Sequence, residues 1–164
     1  MTRSAHIARS RDFLRARVRW NSWALAPILL AGTACAVPWL LAHIPEIGLA
    51  LQRGFALACH QNAHRSFVLC SGSVAVCARC LGIYLGAAVG LLLRVPRQLA
   101  FRLFIAAFAF NAGDWLTEAA GLHGNWMLTR FVLGCVLGAA GAMLVTSAAS
   151  PVFEPSVPGR TFPA

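Results

Sequence analysis

The chain has 164 residues, of which 59% are hydrophobic and only 12% are charged. This length suffices for one domain, and so few charged residues cannot cover a water-soluble globular protein, so the composition indicates a membrane protein. The formal net charge of +9 comes from arginine alone. It does not indicate nucleic-acid binding, because that function requires a folded or aromatic-interleaved basic surface around the arginines.

The N-terminal segment, residues 1–20, is basic and precedes the first apolar run. Arginines near the end of a membrane span favour the cytoplasmic side, so we expect this segment to be cytoplasmic. Asp12 stands where a twin-arginine export signal has its second arginine, and Gly32 stands where a lipoprotein signal prefers leucine. The first apolar run is therefore interpreted as an uncleaved span.

Four apolar windows follow in chain order: residues 24–42, 76–93, 99–116 and 127–148. Helices of about 18 to 22 residues cross a bilayer core of roughly 30 Å at 1.5 Å per residue. We therefore predict an all-α integral membrane protein, with four transmembrane helices in a domain of residues 21–149. Pro27 and Pro38 lie in the first window, where lipid-embedded helices tolerate kinks.

Residues 46–58 lie between the first two windows and are too short to span the bilayer. Gln52 and Arg53 interrupt their apolar pattern. We interpret this segment as a helix that lies in the membrane interface or re-enters the bundle, just before a loop rich in cysteine and histidine.

The charge pattern predicts a prokaryotic inner-membrane protein with both termini in the cytoplasm. Arg94 and Arg97 then lie in a cytoplasmic link, and the Cys/His loop at residues 44–75 faces outward, although Arg53 and Arg65 in that loop oppose the rule. Residues 150–164 form a proline-rich tail, which we expect to be a flexible cytoplasmic end.

Glycines recur every four residues on two of the predicted spans, at Gly82, Gly86 and Gly90 and at Gly134 and Gly138. Small residues at this spacing let helix backbones approach closely in lipid. We expect the two glycine rows to be packing seams against each other. The alternative is that a second copy fills one of them and makes a homo-oligomer.

Polar residues from distant parts of the chain meet at one depth under this topology. They are Cys59, His60, His64, Arg65, Cys77, Arg79, Cys80, Asp114, Glu118, Asn125 and Arg130. Charges near lipid are costly unless they are paired or hydrated, so we expect Asp114 and Arg130 to face the bundle and to pair with each other or with Arg79. A purely structural ion pair is the simpler alternative.

The cysteines of the loop have three interpretations. Cys77 and Cys80 have the C-x-x-C spacing that grips one tetrahedral metal, with Cys59 and either His60 or His64 as further ligands. The same pair also suits a redox-active disulfide, with Cys59 and Cys70 as a shuttle pair. A structural disulfide in an oxidising compartment is the third interpretation.

The remaining cysteines and histidines have simpler expected roles. Cys35 and Cys135 stand alone in apolar spans, and we expect them to be small core residues. His43 and His123 are interpreted as ordinary interfacial histidines.

The segments "CHQ", "RSF" and "VCARCLGIYLG" between Cys59 and Gly86 resemble the signature of a family of small multi-span prokaryotic membrane proteins of unknown function. The resemblance continues more loosely through "NAGDWLTE" and "LTRFVLGCVLG", about half the chain in all. The matching positions are Cys59, His60, Gln61, Arg65, Ser66, Cys77, Arg79, Cys80, Gly82, Tyr84, Asp114, Arg130 and Gly134. The family commonly has an acidic residue in place of His64 and a non-thiol residue in place of Cys70.

This resemblance implies a shared set of Cys59, His60, Cys77 and Cys80, which favours a transition-metal site, most plausibly zinc. Candidate residues for a polar shell or substrate cleft are Arg79, Tyr84, Asp114, Glu118 and Arg130. The alternative function is a thiol/disulfide oxidoreductase that uses Cys77 and Cys80 and passes electrons to quinone. If only three ligands hold the metal, hydrolysis or transfer on a lipid-linked substrate is a third hypothesis.

Overall fold

The structure, a computed structural model, describes residues 3–69, 72–124 and 126–149, and the side chains within those ranges from residue 23 to residue 148. Three of the predictions concern Cys70, Asn125 and the tail at residues 150–164, which lie outside the described residues. The placement of arginine side chains before residue 23 lies outside them as well.

The described chain forms five α-helices: α1 (Arg3–His43), α2 (Pro45–Ala56), α3 (Ala78–Leu92), α4 (Arg97–Ala119) and α5 (Met127–Ala149). A 3-10 turn (Ala63–Arg65) and a small hairpin of β1 (Val68–Leu69) and β2 (Gly72–Ser73) connect α2 to α3. The two strands pair antiparallel, with Val68 opposite Ser73. The predicted mainly helical class is confirmed, and α3, α4 and α5 begin and end close to the apolar windows.

Three helical segments of the described chain are long and apolar enough to cross a membrane: Trp23–His43 of α1, the whole of α4, and Met127–Ala148 of α5. Helix α3 is apolar, but its 15 residues extend only about 22 Å at 1.5 Å per residue. The fourth span therefore stays a prediction. Helix α1 also begins earlier than expected, because it continues through the basic segment to Arg3.

Large apolar side chains cover much of the outside of the helices. Leu29, Phe110 and Leu128 are all more than three-fifths exposed, and further exposed apolar side chains lie near them on α1, α4 and α5. Water would not tolerate a surface of this kind, whereas lipid chains solvate it. The surface of the described bundle is therefore that of a membrane protein.

The two predicted glycine seams pack against each other and join α3 to α5. A Cβ added to Gly82 would meet the Phe131 carbonyl, one added to Gly86 would meet the Cys135 carbonyl, and one added to Gly90 would meet the Ala139 carbonyl. Both helices advance along the contact in the same direction, so they run parallel.

Gly134 and Gly138 complete the same seam from the other side, against the backbones of Arg79 and Ile83. This confirms the expected packing between the two rows. Both rows are therefore occupied within the described bundle, and a homo-oligomer stays a prediction.

Helix α1 receives the loop that leads into α3. The backbone N–H of Ala75 donates to the carbonyl of Ala34 over 3.2 Å, and Val74, Ala75 and Val76 are almost completely buried. They pack with Ala34 and Val37 of α1 in the main core of the protein. Ala34 lies about 14 Å along the helix from its end at His43, so the loop enters the bundle before α3 begins.

Helices α2 and α4 are fixed by a few specific contacts. A Cβ on Gly48 would lie 2.7 Å from the Leu41 backbone nitrogen, so α2 folds back closely on α1, with Phe55 buried near its end. The amide of Asn111 on α4 donates to the carbonyl of Leu133 on α5 over 3.0 Å. These contacts hold α2 against the end of α1 and α4 against α5.

Candidate functional site

Three cysteines converge where α2, α3 and the connecting loop meet. Cys59 follows α2, Cys77 is the residue that precedes the first turn of α3, and Cys80 lies in that turn. Their sulfur atoms all lie within 4.8 Å of one another. Three thiolates at this separation can hold one soft or borderline metal ion such as zinc.

The backbone fixes the sulfur of Cys59 in this group. The N–H of Cys59 donates to the Phe55 carbonyl over 3.0 Å, which extends the last turn of α2. The N–H of Cys77 donates to the Cys59 sulfur over 3.2 Å. This hydrogen bond holds the Cys59 sulfur beside the start of α3.

Cys77 lies at the N-terminal end of α3, and its sulfur is within 4.8 Å of those of Cys59 and Cys80. Helix N-termini stabilise thiolates, because their backbone N–H groups point toward the negative charge. The position of Cys77 therefore favours the thiolate form that binds metal.

The predicted histidine ligands lie farther out. His60 is exposed and lines the cavity next to the cysteines, but the group of converging ligand atoms consists of the three sulfurs. His64 is exposed in the 3-10 turn, where Asn62 caps its backbone N–H over 3.0 Å. The assignment of His60 as a ligand stays a prediction.

Gln61, next to His60, has a left-handed backbone with φ of 50°. This region is uncommon for residues other than glycine, asparagine and aspartate, and it is enriched at functional sites. The side-chain amide of Gln61 donates to the carbonyl of Gln52 on α2 over 2.5 Å. The turn that presents Cys59 and His60 is thus tied to the helix before it.

A network of arginines and carboxylates borders the cysteines. Arg79 forms an ion pair with Asp114, which confirms one of the expected pairings. Arg130 pairs with Glu118, whereas the other expected pairing joined it to Asp114. The reason is that Glu118 lies one helical turn beyond Asp114, level with the start of α5, and there it also binds Arg65 over 3.1 Å.

His123 belongs to this network, although the sequence indicated an ordinary interfacial histidine. Its Nε2 lies 2.8 Å from the hydroxyl of Thr117 and 3.8 Å from Asp114 Oδ1. Its Nδ1 lies 2.8 Å from the carbonyl of Gly124, and because a carbonyl can only accept, Nδ1 carries a proton. His123 reaches α4 because the turn between α4 and α5 folds back toward the end of α4. A contact of this kind has no signature in the spacing of residues along the sequence.

A cavity of about 430 Å³ opens beside the three sulfurs. Ten residues line it: Ala58, Cys59, His60, Asn62, Arg65, Cys77, Arg79, Cys80, Trp115 and Arg130. The cavity therefore gives the cysteines an open side. A metal bound by the three sulfurs would keep a coordination position on that side, as catalytic zinc sites do.

The candidate Tyr84 and the two remaining described cysteines do not line the cavity. Tyr84 and Cys35 pack against the main core, and the backbone of Cys135 forms part of the seam between α3 and α5. All five cysteines that the structure describes are free thiols. Trp115, which sequence analysis did not single out, also lies on the cavity wall and, among the described residues, adds an aromatic ring there besides His60.

Comparison with known proteins identifies the class of this protein. The family DUF2085, described as predicted membrane proteins, matches residues 59–144, which is more than half of the chain. The chain belongs to this family. The matched region begins at Cys59 and ends within α5. It therefore contains the three cysteines and the arginine network.

A curated relative is an uncharacterized protein of Methanocaldococcus jannaschii, which is 33% identical over 102 residues, covering 56% of this chain and 64% of the relative. The chain thus matches somewhat less than two thirds of that protein's length. No solved structure matches this chain.

Proposed function

We propose that this protein is an inner-membrane metal-binding protein whose outer-face centre holds a transition metal, most plausibly zinc, through Cys59, Cys77 and Cys80. The observation that supports the proposal is the convergence of three sulfurs within 4.8 Å beside an open cavity. The fourth position belongs either to His60, which lines that cavity, or to a water or substrate molecule.

The chemistry of the donor set favours zinc over harder cations. Thiolates are soft ligands that suit zinc, copper(I) and iron, whereas magnesium and calcium prefer oxygen. The position of Cys77 at the N-terminal end of α3 favours its thiolate form. With His60 bound the centre is a closed Cys3His site, and without it the centre keeps an exchangeable position.

Elemental analysis of the detergent-purified full chain tests this proposal. We expect about one zinc per chain, and we expect Cys59→Ser and Cys77→Ser to abolish its retention. Cys135→Ser is the matched control, because that cysteine lies in the seam away from the centre. Full stoichiometric metal in both loop variants would refute the proposal. His60→Ala then identifies the fourth ligand: loss of affinity assigns it to His60, and unchanged affinity assigns it to an exchangeable molecule.

We also propose four membrane crossings, with both termini in the cytoplasm. Helices α3 and α5 run parallel through their glycine seam, so α4 between them must return across the membrane. The buried loop at residues 74–76 precedes α3 inside the bundle, which compensates for the short length of α3. Irregular backbone is tolerated at membrane depth when it is buried in protein. Helix α2, with most of its side chains exposed, then lies in the outer interface.

Labelling with a membrane-impermeant thiol reagent tests this topology. Arg94→Cys places a thiol in the link between α3 and α4, and Leu122→Cys places one in the turn between α4 and α5. Both positions are exposed. We expect Leu122→Cys to react in intact cells and Arg94→Cys to react only after permeabilisation, as read by mass spectrometry of the modified peptides. The reverse pattern would contradict the orientation.

A second candidate function is a thiol/disulfide oxidoreductase linked to quinone. The geometry that favours it is the position of Cys77 and Cys80 at the start of α3 with the sulfur of Cys59 close to both, an arrangement in which a disulfide can pass to a third thiol. Purified protein should then oxidise dithiothreitol while reducing an added quinone, and Cys80→Ser should stop both. Absence of quinone reduction, with the loop thiols reduced in a free-thiol count, would remove this candidate.

A further inference from the structure

Arginines line one part of the cavity wall and the three thiols line another. The arginines are Arg65, Arg79 and Arg130, and among the described residues no carboxylate lines the cavity. Asp114 and Glu118 pair with these arginines outside the cavity lining, and their side chains are only 8% and 15% exposed. The acids therefore hold the guanidinium groups in place, and the arginine part of the wall offers hydrogen-bond donors to an anion.

We propose that this cavity binds the phosphate group of an organic phosphate ester. Arginine donates in a planar fork that matches phosphate oxygens, and clusters of arginine are typical phosphate sites. This inference rests on the proposed function in one respect: the ligand enters from the open side of the proposed metal centre.

The placement of the three arginines distinguishes phosphate from carboxylate. Arg65 comes from the 3-10 turn, Arg79 from α3 and Arg130 from α5, so the donors approach from three different elements. A carboxylate offers two oxygens in one plane, which a single arginine can satisfy. A tetrahedral phosphate offers oxygens in several directions, and a site built from three separate elements suits it better.

Two of the guanidinium groups have donors that the protein leaves unsatisfied. The Nε atoms of Arg79 and Arg130 are buried and have no hydrogen-bond partner among the described residues. Arg130 as a whole is only 4% exposed. Leaving a donor of a charged group unpaired in the interior is costly, so a ligand that draws these side chains toward its oxygens would relieve a cost already present.

The size and shape of the cavity point to an ester and not to a bare ion. A volume of about 430 Å³ lies within the range of pockets for small organic ligands. The ring of Trp115, more than half exposed, lies on the cavity wall next to the side of α4 that faces lipid. The phosphate source is therefore either a lipid headgroup that enters from the outer leaflet or a soluble phosphate ester.

Two binding measurements on the detergent-purified full chain test this inference. Isothermal titration calorimetry at low ionic strength measures the affinity for inorganic phosphate and for glycerol 3-phosphate. Native mass spectrometry measures retention of dioleoyl phosphatidic acid against dioleoylglycerol, which has the same chains and no phosphate. Elemental analysis of zinc is done on the same preparations, so that the metal and the phosphate are scored separately.

Arg65→Gln is the informative variant, because Arg65 is the most exposed of the three arginines at 43% of its side chain. We expect it to weaken phosphate binding at least about tenfold, as the loss of a charge-assisted hydrogen bond does, and to leave the zinc content unchanged. Arg65→Lys keeps the charge and should lose less. Arg53→Gln, an exposed arginine on α2 outside the cavity, is the control and should bind like the wild type.

The outcomes separate the two proposals. Binding of glycerol 3-phosphate alone identifies a soluble ester, and selective retention of phosphatidic acid identifies a lipid headgroup; either supports the inference if Arg65→Gln weakens it. Phosphate binding in a protein without zinc would refute the metal centre and keep the inference. Zinc without phosphate binding in either measurement, or equal affinity in Arg65→Gln and wild type, would overturn the inference.

Discussion

The carbonyl of Ala34 accepts the backbone N–H of Ala75 over 3.2 Å, and it is available to do so because of Pro38. In a regular helix that carbonyl would accept from the residue four positions later, but proline has no N–H. The freed carbonyl is satisfied instead by the loop that carries Cys77 into the bundle. A helix defect thus becomes the attachment point of the candidate site.

We expect Pro38→Ala to loosen this loop while it makes α1 more regular. Alanine restores an N–H that competes with Ala75 for the Ala34 carbonyl, so hydrogen exchange at residues 74–76 should become faster and zinc retention weaker. Pro27→Ala is the matched control in the same helix, since its freed carbonyl lies outside the loop contact. Equal exchange at residues 74–76 in both variants would show that Pro38 does not hold the loop.

The seam between α3 and α5 should tolerate no side chain at Gly86. An added Cβ would meet the backbone carbonyl of Cys135, and a backbone cannot rotate away as a side chain can. We expect Gly86→Ala to destabilise the protein by about 1 to 3 kcal/mol, the usual cost of overpacking, and to lower its unfolding temperature in detergent. Gly113→Ala on α4 has open space around it and should have little effect; equal loss in both variants would refute close packing at the seam.

The ion pair of Arg79 with Asp114 should matter for stability mainly because breaking it leaves an unpaired charge in the protein interior. The Asp114 side chain is 8% exposed, so Asp114→Asn leaves a largely buried guanidinium without its counter-charge. We expect destabilisation of about 3 kcal/mol, as for broken buried pairs, measured by thermal unfolding. Glu46→Gln removes an exposed acid on α2 and serves as the control. A double-mutant cycle with Arg79→Gln should recover much of the loss if the two groups act as a pair.

Features of the molecule that repeat along the chain were predictable from the sequence. The apolar windows located α1, α3, α4 and α5, because residues that lie in lipid must be apolar over a whole helix. The four-residue spacing of Gly82, Gly86 and Gly90 predicted the seam, since close helix contact in lipid requires small residues. The C-x-x-C spacing placed Cys77 and Cys80 together, because one helical turn separates them.

Contacts set by tertiary structure were not predictable in this way. The pairing of Arg130 with Glu118, and not with Asp114, depends on the axial offset between α4 and α5. The approach of His123 to Asp114 depends on the turn between those helices. The cavity lies between four parts of the chain, and no local pattern of Trp115 or Asn62 indicates that both face it.

The order in which the ribosome makes the chain gives the arginine network a further consequence. Arg65 and Arg79 emerge well before Asp114 and Glu118, and Arg130 emerges last. Until α4 enters the membrane, the charge of Arg79 has no buried counter-charge, and charged groups in lipid are expensive. Completion of the bundle by α4 and α5 therefore supplies the counter-charges of these arginines as well as packing, and a nascent chain truncated before α4 lacks the carboxylate that pairs with Arg79 in the finished protein.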